Sequence, residues 1–270
     1  MYVYLVVFAV LFYFVLIKCI FDRHRHALIK SLKRTTNVSS ETETDGADVR
    51  ALVVTAHPDD ECMFFAPTII RLNELNASVH LLCLSEGNYY NRGAQRREEL
   101  FSSSAVLGIP ASRVTIIDHK KLPDDPKAEW SVSLVSSAVL KHITAHAINM
   151  VVTFDGRGVS GHANHVAIYK AVRHLASTGE LSKGCVLLSL ETVGLLRKYI
   201  SFLDLPFSWF LPSHLHCVVG SKGYKQAKAA MLRHRTQLLW FRYLYITLSR
   251  YMFINTFQTI PQGPQNLKIY

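Results

Sequence analysis

The chain has 270 residues, of which 49% are hydrophobic, and it carries 30 Lys and Arg against 20 Asp and Glu, a net charge of +10. This apolar content excludes a disordered chain, and five cysteines are too few and odd in number for a disulfide-framed miniprotein. A single stretch is apolar enough to span a bilayer, which excludes a polytopic transporter, and the length fits one domain of about 200–250 residues with an appendage.

The basic charge lies at the two ends of the chain. Residues 1–34 carry six Lys and Arg against one acid, residues 35–204 carry 16 against 19, and residues 205–270 carry eight against none. Basic ends indicate either nucleic acid or an anionic membrane as the partner. The N-terminal sequence favours the membrane.

Residues 1–21 predict a transmembrane anchor. Met1–Ile17 is an unbroken apolar run, and Lys18 and Cys19-Ile20-Phe21 follow it. A membrane helix needs about 20 residues, and the lysine can snorkel to the interface. The alternative is a cleaved signal peptide, which requires a basic segment before the run and a small-residue cleavage site after it; the sequence has neither.

Basic residues follow this run on its C-terminal side, namely Lys18, Arg23, Arg25, Lys30, Lys33 and Arg34. The positive-inside rule then places residues 22–270 in the cytoplasm, where the cysteines of the domain are expected to be reduced. Residues 22–49 predict a basic juxtamembrane segment and a flexible acidic linker. A domain is expected over 50–260, with a tail over 261–270.

Within 50–260, short apolar runs alternate with helical patterns. The predicted strands are Ala51–Thr55, Val79–Leu84, Val114–Ile117, Ile148–Phe154, Val186–Leu190 and His216–Val219. The predicted helices are Met63–Asn76, Ala94–Leu107, Val132–His146, Val166–Ser177 and Ser221–Leu239. This alternation predicts an α/β fold with a Rossmann-like, mostly parallel sheet and helices on both faces. In such a fold, ligands bind beyond the carboxyl ends of the strands.

A histidine and three acids follow the first predicted strand, in Ala56-His57-Pro58-Asp59-Asp60-Glu61. Buried acids are costly unless they are paired or bind a cation. One interpretation is a helix N-terminus, where acids suit the helix dipole without any chemistry. The other is a metal site, because a His and an Asp three residues apart can reach one ion while a further Asp stays free as a base.

The metal interpretation requires another ligand after another strand. Ile148–Phe154 leads into a glycine-rich loop that ends in Gly161-His162-Ala163-Asn164-His165. The two histidines are three residues apart and share a face as a helix opens. A His-x-x-His pair alone is weak in a chain with 13 histidines. Two such clusters after two strands of one parallel sheet favour a catalytic zinc site, with three protein ligands and an open position.

These residues resemble the zinc-dependent de-N-acetylases of the LmbE/PIG-L type over about 50–260. Further stretches are similar to the branch of that family that acts on a membrane glycolipid: Met63-Phe64-Phe65-Ala66-Pro67-Thr68, Gly87-Asn88-Tyr89-Tyr90-Asn91, Val151-Val152-Thr153-Phe154-Asp155 and Leu196-Arg197-Lys198-Tyr199-Ile200-Ser201. The family often has Gly-His-Pro-Asp-His in the second motif. Asn164 therefore puts in doubt any role of an Asp at that position.

The resemblance implies the following roles. Zn²⁺, or another divalent metal, would be held by His57, Asp60 and His165. Asp59 would be the general base, and His162 would stabilise the oxyanion or protonate the leaving amine. Glu61 is expected to support the site rather than to bind metal.

The resemblance also implies a substrate and a place in the cell. The reaction would be hydrolysis of the N-acetyl group of N-acetylglucosaminyl-phosphatidylinositol to glucosaminyl-phosphatidylinositol and acetate, the second step of GPI-anchor biosynthesis. The chain would be a single-pass protein of the endoplasmic reticulum membrane and would contact its lipid. An inactive membrane-tethered scaffold is the alternative. A nucleic-acid-binding protein is disfavoured, because acids that repel phosphate replace the Gly-x-Gly-x-x-Gly pattern after the first strand.

Two features leave alternatives open. Arg96 would hold a sugar hydroxyl or the phosphate of the substrate, or it forms a plain helix ion pair with Glu99. In the C-terminal segment, Arg235, Arg242 and Arg250 would share one helical face. That helix either lies in the membrane interface or packs on the sheet with its arginines solvated.

Overall fold

The computed structural model describes residues 2–36, 49–126, 128–182 and 184–263. The strands are β1 (Arg50–Thr55), β2 (Ser78–Cys83), β3 (Val114–Ile116), β4 (Met150–Phe154), β5 (Val186–Leu190), β6 (Leu215–Val218) and β7 (Ile254–Thr259). The helices are α1 (Tyr2–Thr36), α2 (Asp60–Phe64), α3 (Ala66–Glu74), α4 (Gly93–Leu107), α5 (Val132–Ala145), α6 (Gly158–Gly161), α7 (Ala163–Thr178), α8 (Leu195–Lys198), α9 (Leu205–Phe210), α10 (Ser221–Met231) and α11 (Trp240–Leu248).

The strands form one sheet in the order β3-β2-β1-β4-β5-β7-β6. The pairs between β3 and β5 are all parallel, whereas β7 runs antiparallel to both β5 and β6. The chain moves outward from β1 through β2 to β3 and then returns to β4 on the other side of β1. This reversal creates a crevice beyond the carboxyl ends of β1 and β4, where ligands bind in such sheets.

The predicted α/β fold class is confirmed. α5 packs on α7, and α10 packs on α4, as two helical layers around the sheet. β1 and β4 are continuous apolar runs because both of their faces are covered. All six predicted strands form, with ends shifted by no more than two residues. The four cysteines of the domain are buried and free.

Three elements differ from the prediction. The helix predicted over Met63–Asn76 is two helices, because the backbone breaks at Phe65 and Pro67 lies in the first turn of α3, a position that suits proline. The helix predicted over Ser221–Leu239 ends at Met231. β7 was not predicted, since its polar residues resemble a loop; one of them, Asn255, is buried and donates to Phe64 O at 2.8 Å.

The C-terminal segment does not form a single helix on which three arginines share a face. A 3-10 turn precedes α11, and another follows it. Arg235 is exposed, Arg242 reaches Asp59, and Arg250 is fully buried beside Asp204. The shared arginine face is therefore wrong, and so is the alternative with solvated arginines, because two buried carboxylates each take one of the arginines. Contact of this segment with the membrane interface stays a prediction.

α1 runs without a break from the apolar stretch through the basic residues that follow it. Residues Tyr2–His24 form a helix long and apolar enough to cross a membrane. Further along, Ile20, His24, Leu28 and Leu32 make a buried stripe with a spacing of four residues, which is one helix face on the domain. The division at residue 21 stays a prediction. Most of the predicted linker (residues 37–48) and most of the tail (264–270) lie outside the described residues.

Candidate active site

The loop after β1 brings carboxylates to the carboxyl edge of the sheet through a strained turn. Asp59 has a φ of 120°, which costs a non-glycine residue on the order of 1–3 kcal/mol. Its N–H donates to Glu61 Oε2 at 3.0 Å. The turn directs Asp60 back to the strand end, where Oδ2 accepts the N–H groups of Ala56 (3.0 Å) and His57 (2.9 Å). Strain at a buried acidic turn indicates a functional loop.

The loop after β4 presents two histidines from the start of α7. His162 caps the helix, because its Nδ1 accepts the N–H of Asn164 at 3.3 Å. His165 lies one turn later, with Nδ1 3.1 Å from Gly158 O. Its ring stacks on Phe154, with 3.8 Å between the ring centroids. These contacts leave Nε2 of each histidine available to a ligand.

The side chains of the two loops meet at one point. The ring centroids of His57 and His162 are 4.8 Å apart, and those of His57 and His165 are 5.7 Å apart. The three rings offer nitrogens within 4.8 Å of one another. Asp60 lies between two of them, 3.2 Å from His165 Nε2 and 3.8 Å from His57 Nδ1. The structure thus brings the predicted ligand residues together.

This donor set fits a divalent cation. His57 Nε2 and His165 Nε2 are buried and make no hydrogen bond within the described part of the chain, although carboxylate oxygens lie 3.1 and 3.2 Å away. A buried polar atom without a hydrogen bond is costly. Imidazole nitrogens and a carboxylate are ligands that zinc accepts. His162 is near enough to be a ligand in place of Asp60, so the geometry alone does not select one set of three.

Burial and neighbouring charges set the protonation of these groups. Burial lowers the pKa of His57 to about 4, although Asp60 and Asp124 oppose it. Burial would raise the pKa of Asp60, but His165 and His57 outweigh this effect and hold the pKa below its ordinary value. At neutral pH the imidazole of His57 is therefore neutral and Asp60 is ionised, which are the states that metal binding requires. At His165, burial acts to lower the pKa of the imidazole, but Asp60 outweighs burial and raises the pKa, so a cation bound there would take the place of a proton.

Asp59 lies beside the cluster and faces two arginines. Arg242 Nη2 donates to Asp59 Oδ2 at 3.0 Å, and Arg96 Nη2 lies 3.9 Å from Oδ1. Burial raises the pKa of Asp59, and the two arginines oppose this rise without cancelling it. A carboxylate with a raised pKa suits a general base that works near neutral pH.

Asp124 is a site residue that the sequence reasoning missed. Its Oδ1 lies 3.1 Å from His57 Nε2, and its Oδ2 accepts a hydrogen bond from Arg96 Nη1 at 2.9 Å. The available signal was the acidic pair Asp124-Asp125 in the loop after β3, the third strand that ends at this edge. Arg242 was missed as well, because no local pattern distinguishes an arginine that reaches back 183 residues to a carboxylate.

Arg96 is fixed by contacts other than the helix ion pair considered from the sequence. Its guanidinium donates to Pro58 O at 2.7 Å and to Gly87 O at 2.8 Å, in addition to Asp124. Glu99 instead accepts hydrogen bonds from Thr236 and Gln237. The Arg96–Glu99 pair is therefore wrong, and Arg96 lies at the wall of the site.

Glu61 and His234 form a closed pair behind Asp59. Glu61 Oε1 lies 2.7 Å from His234 Nε2 and accepts the hydroxyl of Ser103 at 2.5 Å, and both members of the pair are 0% exposed. With Cys62 they form a second group of potential metal ligands. However, the two bind each other, and the thiol donates to Asp59 O at 3.2 Å. The pair therefore supports the loop from behind.

Asn164 ties two loops of the site together. It is buried, and its Nδ2 donates to Pro123 O at 3.1 Å, next to Asp124. A carboxylate at this position has no N–H to donate. The amide thus has a structural use that an Asp would not supply.

A cavity of about 430 Å³ opens on these side chains. Its lining residues are His57, Asp59, Asp60, Met63, Phe64, Arg96, Asp124, Ser160, His162, His165, Lys198, Tyr199, Phe241, Arg242 and Tyr245. A second cavity of about 590 Å³ adjoins it and shares Asp59, Arg96 and Arg242. Carboxylates, arginines and aromatic rings in a concave site of this size suit a polar organic ligand such as a sugar.

Comparisons with known proteins point to one family. The profile of the family described as PIG-L, GlcNAc-PI de-N-acetylase, matches residues 52–176. The chain is 52% identical over 211 residues to the N-acetylglucosaminyl-phosphatidylinositol de-N-acetylase of Bos taurus, which covers 78% of this chain and 83% of the bovine protein. It is 36% identical over 231 residues to the probable N-acetylglucosaminyl-phosphatidylinositol de-N-acetylase of Schizosaccharomyces pombe, with 81% of this chain and 90% of that protein covered.

A solved structure extends the comparison to the fold. The N,N'-diacetylchitobiose deacetylase from Pyrococcus horikoshii matches with a TM-score of 0.59 and 16% identity. The match covers 87% of this chain and 92% of that one. At this level of identity the likeness shows a shared fold.

Proposed function

The chain belongs to the PIG-L family of GlcNAc-PI de-N-acetylases, and on that basis we propose that it hydrolyses N-acetylglucosaminyl-phosphatidylinositol to glucosaminyl-phosphatidylinositol and acetate. The resemblance seen in the sequence is confirmed, and the names of its relatives support a deacetylase. The substrate, the metal dependence and the step in GPI-anchor biosynthesis are our proposal. The convergence of His57, Asp60 and His165 beside Asp59, in one cavity at the sheet reversal, is the observation that carries it.

We propose that His57, Asp60 and His165 hold a divalent cation, zinc by the character of the donors. When bound, such an ion polarises a carbonyl and lowers the pKa of a water molecule toward neutrality. The residues support this role because the first is neutral, the second is ionised, and two of the imidazole nitrogens have no hydrogen bond.

Asp59 would take the proton of the attacking water. Its carboxylate lines the cavity next to the ligand residues. Arg242 and the strained turn hold it in one orientation, and general-base catalysis of this kind contributes about 10²–10⁴-fold. Attack at the acetyl carbon and cleavage of the C–N bond would give acetate and the free amine of the sugar.

His162 would stabilise the oxyanion or give a proton to the leaving amine. It is half-buried at the cavity wall, and its Nδ1 is already engaged by the N–H of Asn164. Nε2 is therefore the nitrogen that would meet the substrate. A preorganised donor at such a position acts on the charge that develops in the transition state.

Arg96 would bind the polar part of the substrate together with Asp124. The guanidinium is held by two carbonyl groups and one carboxylate, so its position is set before the substrate arrives. Asp124 offers an acceptor that suits a sugar hydroxyl. Preorganised polar groups of this kind fix the orientation of a ligand.

We further propose a single-pass protein of the endoplasmic reticulum membrane with its catalytic domain in the cytoplasm. Tyr2–His24 has the length and composition of a span, and the described basic residues that follow it support this orientation. Protease protection of sealed microsomes would test the orientation. Digestion of the domain without detergent is the expected result, and full protection would contradict it.

The test of the reaction is acetate release from N-acetylglucosaminyl-phosphatidylinositol by the full chain in detergent, measured together with its bound metal. We expect about one zinc per chain for a site of this type and acetate release that a chelator abolishes. Glu180→Gln, which changes an exposed carboxylate, is the control variant. A metal-free, inactive but folded preparation would favour the inactive scaffold instead.

A further inference from the structure

We call residues 195–211, which lie between β5 and β6, the apolar rim. In this segment most of the apolar side chains are exposed and polar ones are buried, which is the reverse of an ordinary domain surface. Its exposed side chains are apolar or tyrosine: Leu195, Leu196, Tyr199, Phe202, Leu203, Phe207, Phe210 and Leu211. The acid and a hydroxyl of the same segment, Asp204 and Ser208, are 0% and 1% exposed. A surface that faces water shows the opposite distribution, and a large exposed apolar patch marks a contact site.

The apolar rim is a built structure, because a network of charges holds it from beneath. Arg197 Nε donates to Asp204 Oδ1 at 2.7 Å, and Arg250 Nε lies 2.8 Å from Oδ2. Ser208 donates its hydroxyl to the same carboxylate at 2.5 Å. A carboxylate with these partners, fully buried, fixes the segment so that its phenyl and leucyl groups point outward.

The apolar rim contacts α1, whose residues Tyr2–His24 have the length and composition of a membrane span. Tyr13 donates its hydroxyl to Leu203 O. Further along α1, Ile20 packs with Leu205 in a small apolar cluster that also includes the partly buried Trp209. The rim and α1 are therefore neighbours along the helix from Tyr13 onward.

The position of these contacts on the helix determines where the rim lies relative to a bilayer. Residues 2–12 of α1 are all exposed, and at 1.5 Å per residue their 11 residues extend about 17 Å. The hydrocarbon core is about 30 Å thick and needs about 20 residues. The candidate span Tyr2–His24 includes the turns from Tyr13 to Ile20, so a helix that crosses the bilayer over this range keeps those turns inside it. The rim that touches those turns then lies at a depth on the order of 10 Å.

We propose that the apolar rim inserts beside α1 into the leaflet on the side of the domain, with the acyl chains of phospholipids as its partner. This rests on the membrane anchor of the proposed function. Lys198 and Tyr199 of the rim also line the candidate active-site cavity. Insertion of the rim therefore places the mouth of the cavity at the lipid surface, where the headgroup of a lipid substrate is found without extraction from the bilayer.

The test uses the full chain in phosphatidylcholine vesicles, with one environment-sensitive fluorophore on one engineered cysteine. Cys19→Ser removes the exposed native thiol and leaves the four buried ones. Phe210→Cys reports on the rim, Phe8→Cys reports on the anchor, and Lys141→Cys on α5 is the exposed polar control. Quenching is measured with a nitroxide on the lipid acyl chain and, separately, with iodide in the water.

We expect acyl nitroxide to quench the labels at 8 and 210 severalfold more than the label at 141, and iodide to show the reverse order. Suppose that lipid quenches the label at 8, while iodide quenches the label at 210 as strongly as the label at 141. The proposal that the rim inserts is then wrong, and the proposal that α1 spans the membrane is supported. If the label at 210 is shielded from both quenchers, a second copy of the chain covers the rim and the proposal is overturned. If lipid quenches neither the label at 8 nor the label at 210, the membrane span and the insertion of the rim are both wrong. The proposed hydrolase activity is tested separately, by acetate release.

Discussion

Asp60 and Glu61 are consecutive buried carboxylates, each paired with a histidine, yet their surroundings differ. Asp60 lies 3.2 Å from His165 in the wall of a cavity, and that imidazole nitrogen makes no hydrogen bond. Glu61 lies 2.7 Å from His234 with no exposure, and its oxygens also accept bonds from a hydroxyl and from a backbone N–H. We call Asp60–His165 the open pair, because it borders the cavity, and Glu61–His234 the closed pair, because it is fully buried. Residue type and burial are alike, and each of the two histidines keeps one ring nitrogen without a hydrogen bond, so access to the cavity is what distinguishes a candidate site from a support.

Breaking the open pair is expected to have the largest effect. Asp60→Asn removes the charge that we propose holds the cation but keeps an oxygen for the two backbone N–H groups. Bound metal and acetate release should both fall to background in a protein that still folds, and the melting temperature should fall as well, because a buried pair is broken and a bound cation no longer stabilises the native state. Metal analysis and an acetate assay on the same preparation check this result. Asp60→Asn that retains a full complement of metal would contradict the assignment.

Removing the base next to the open pair is expected to have a smaller effect. Asp59→Asn should lower kcat by about 10²–10⁴-fold, because the proton of the attacking water loses its acceptor. Metal content should not change, since Asp59 is not a proposed ligand. Initial rates and metal content measured together separate this variant from Asp60→Asn. Equal loss of metal in both variants would mean that Asp59 is itself a ligand.

Breaking the closed pair is expected to affect stability first. Glu61→Gln leaves His234 without its charge partner, and removal of one member of a buried pair costs about 3–5 kcal/mol. Bound metal should persist in the folded fraction. Thermal melting in detergent measures the change, and His234→Asn combined with Glu61→Gln completes a double-mutant cycle. Strictly additive effects would contradict a coupled pair.

The smallest expected effect is a dependence of this coupling on pH. Burial acts to lower the pKa of His234, but Glu61 outweighs it and raises the pKa. The stability that His234 contributes is therefore fully present below its ordinary pKa of about 6.5 and is lost as the pH rises through the raised value. The difference in melting temperature between wild type and His234→Asn should narrow as the pH rises. In the Glu61→Gln background this narrowing should disappear, and a difference that widens with pH would contradict the sign.

The site residues that the sequence predicted are those that lie close together in short stretches of the chain. His57, Asp59 and Asp60 directly follow β1, and His162 and His165 open the helix after β4. The rule that ligands collect beyond parallel strands was enough to join the two stretches. Their meeting within a few ångströms is what the structure adds.

The parts that the sequence did not predict depend on contacts between distant positions. Arg242 meets Asp59, and His234 meets Glu61, across separations of more than 170 residues. No periodicity marks such pairs, since arginine and histidine on a C-terminal segment are equally typical of a solvated surface. β7 was missed for a related reason. Its polar Asn255 does not look like a strand residue in the sequence, and only the structure shows that its side chain is buried and donates to the distant Phe64 O.

The antiparallel β7 has a consequence for synthesis of the chain. Among the described strands it is the last to be synthesised, yet it lies inside the sheet, and β6 has no other strand partner among them. During translation β5 and β6 therefore emerge with an empty place between them, which a nascent chain fills only after Thr259 has cleared the exit tunnel. A stop codon ahead of Ile254 would remove an inner strand rather than a tail. We expect the shortened product to be degraded instead of accumulating as a weaker enzyme.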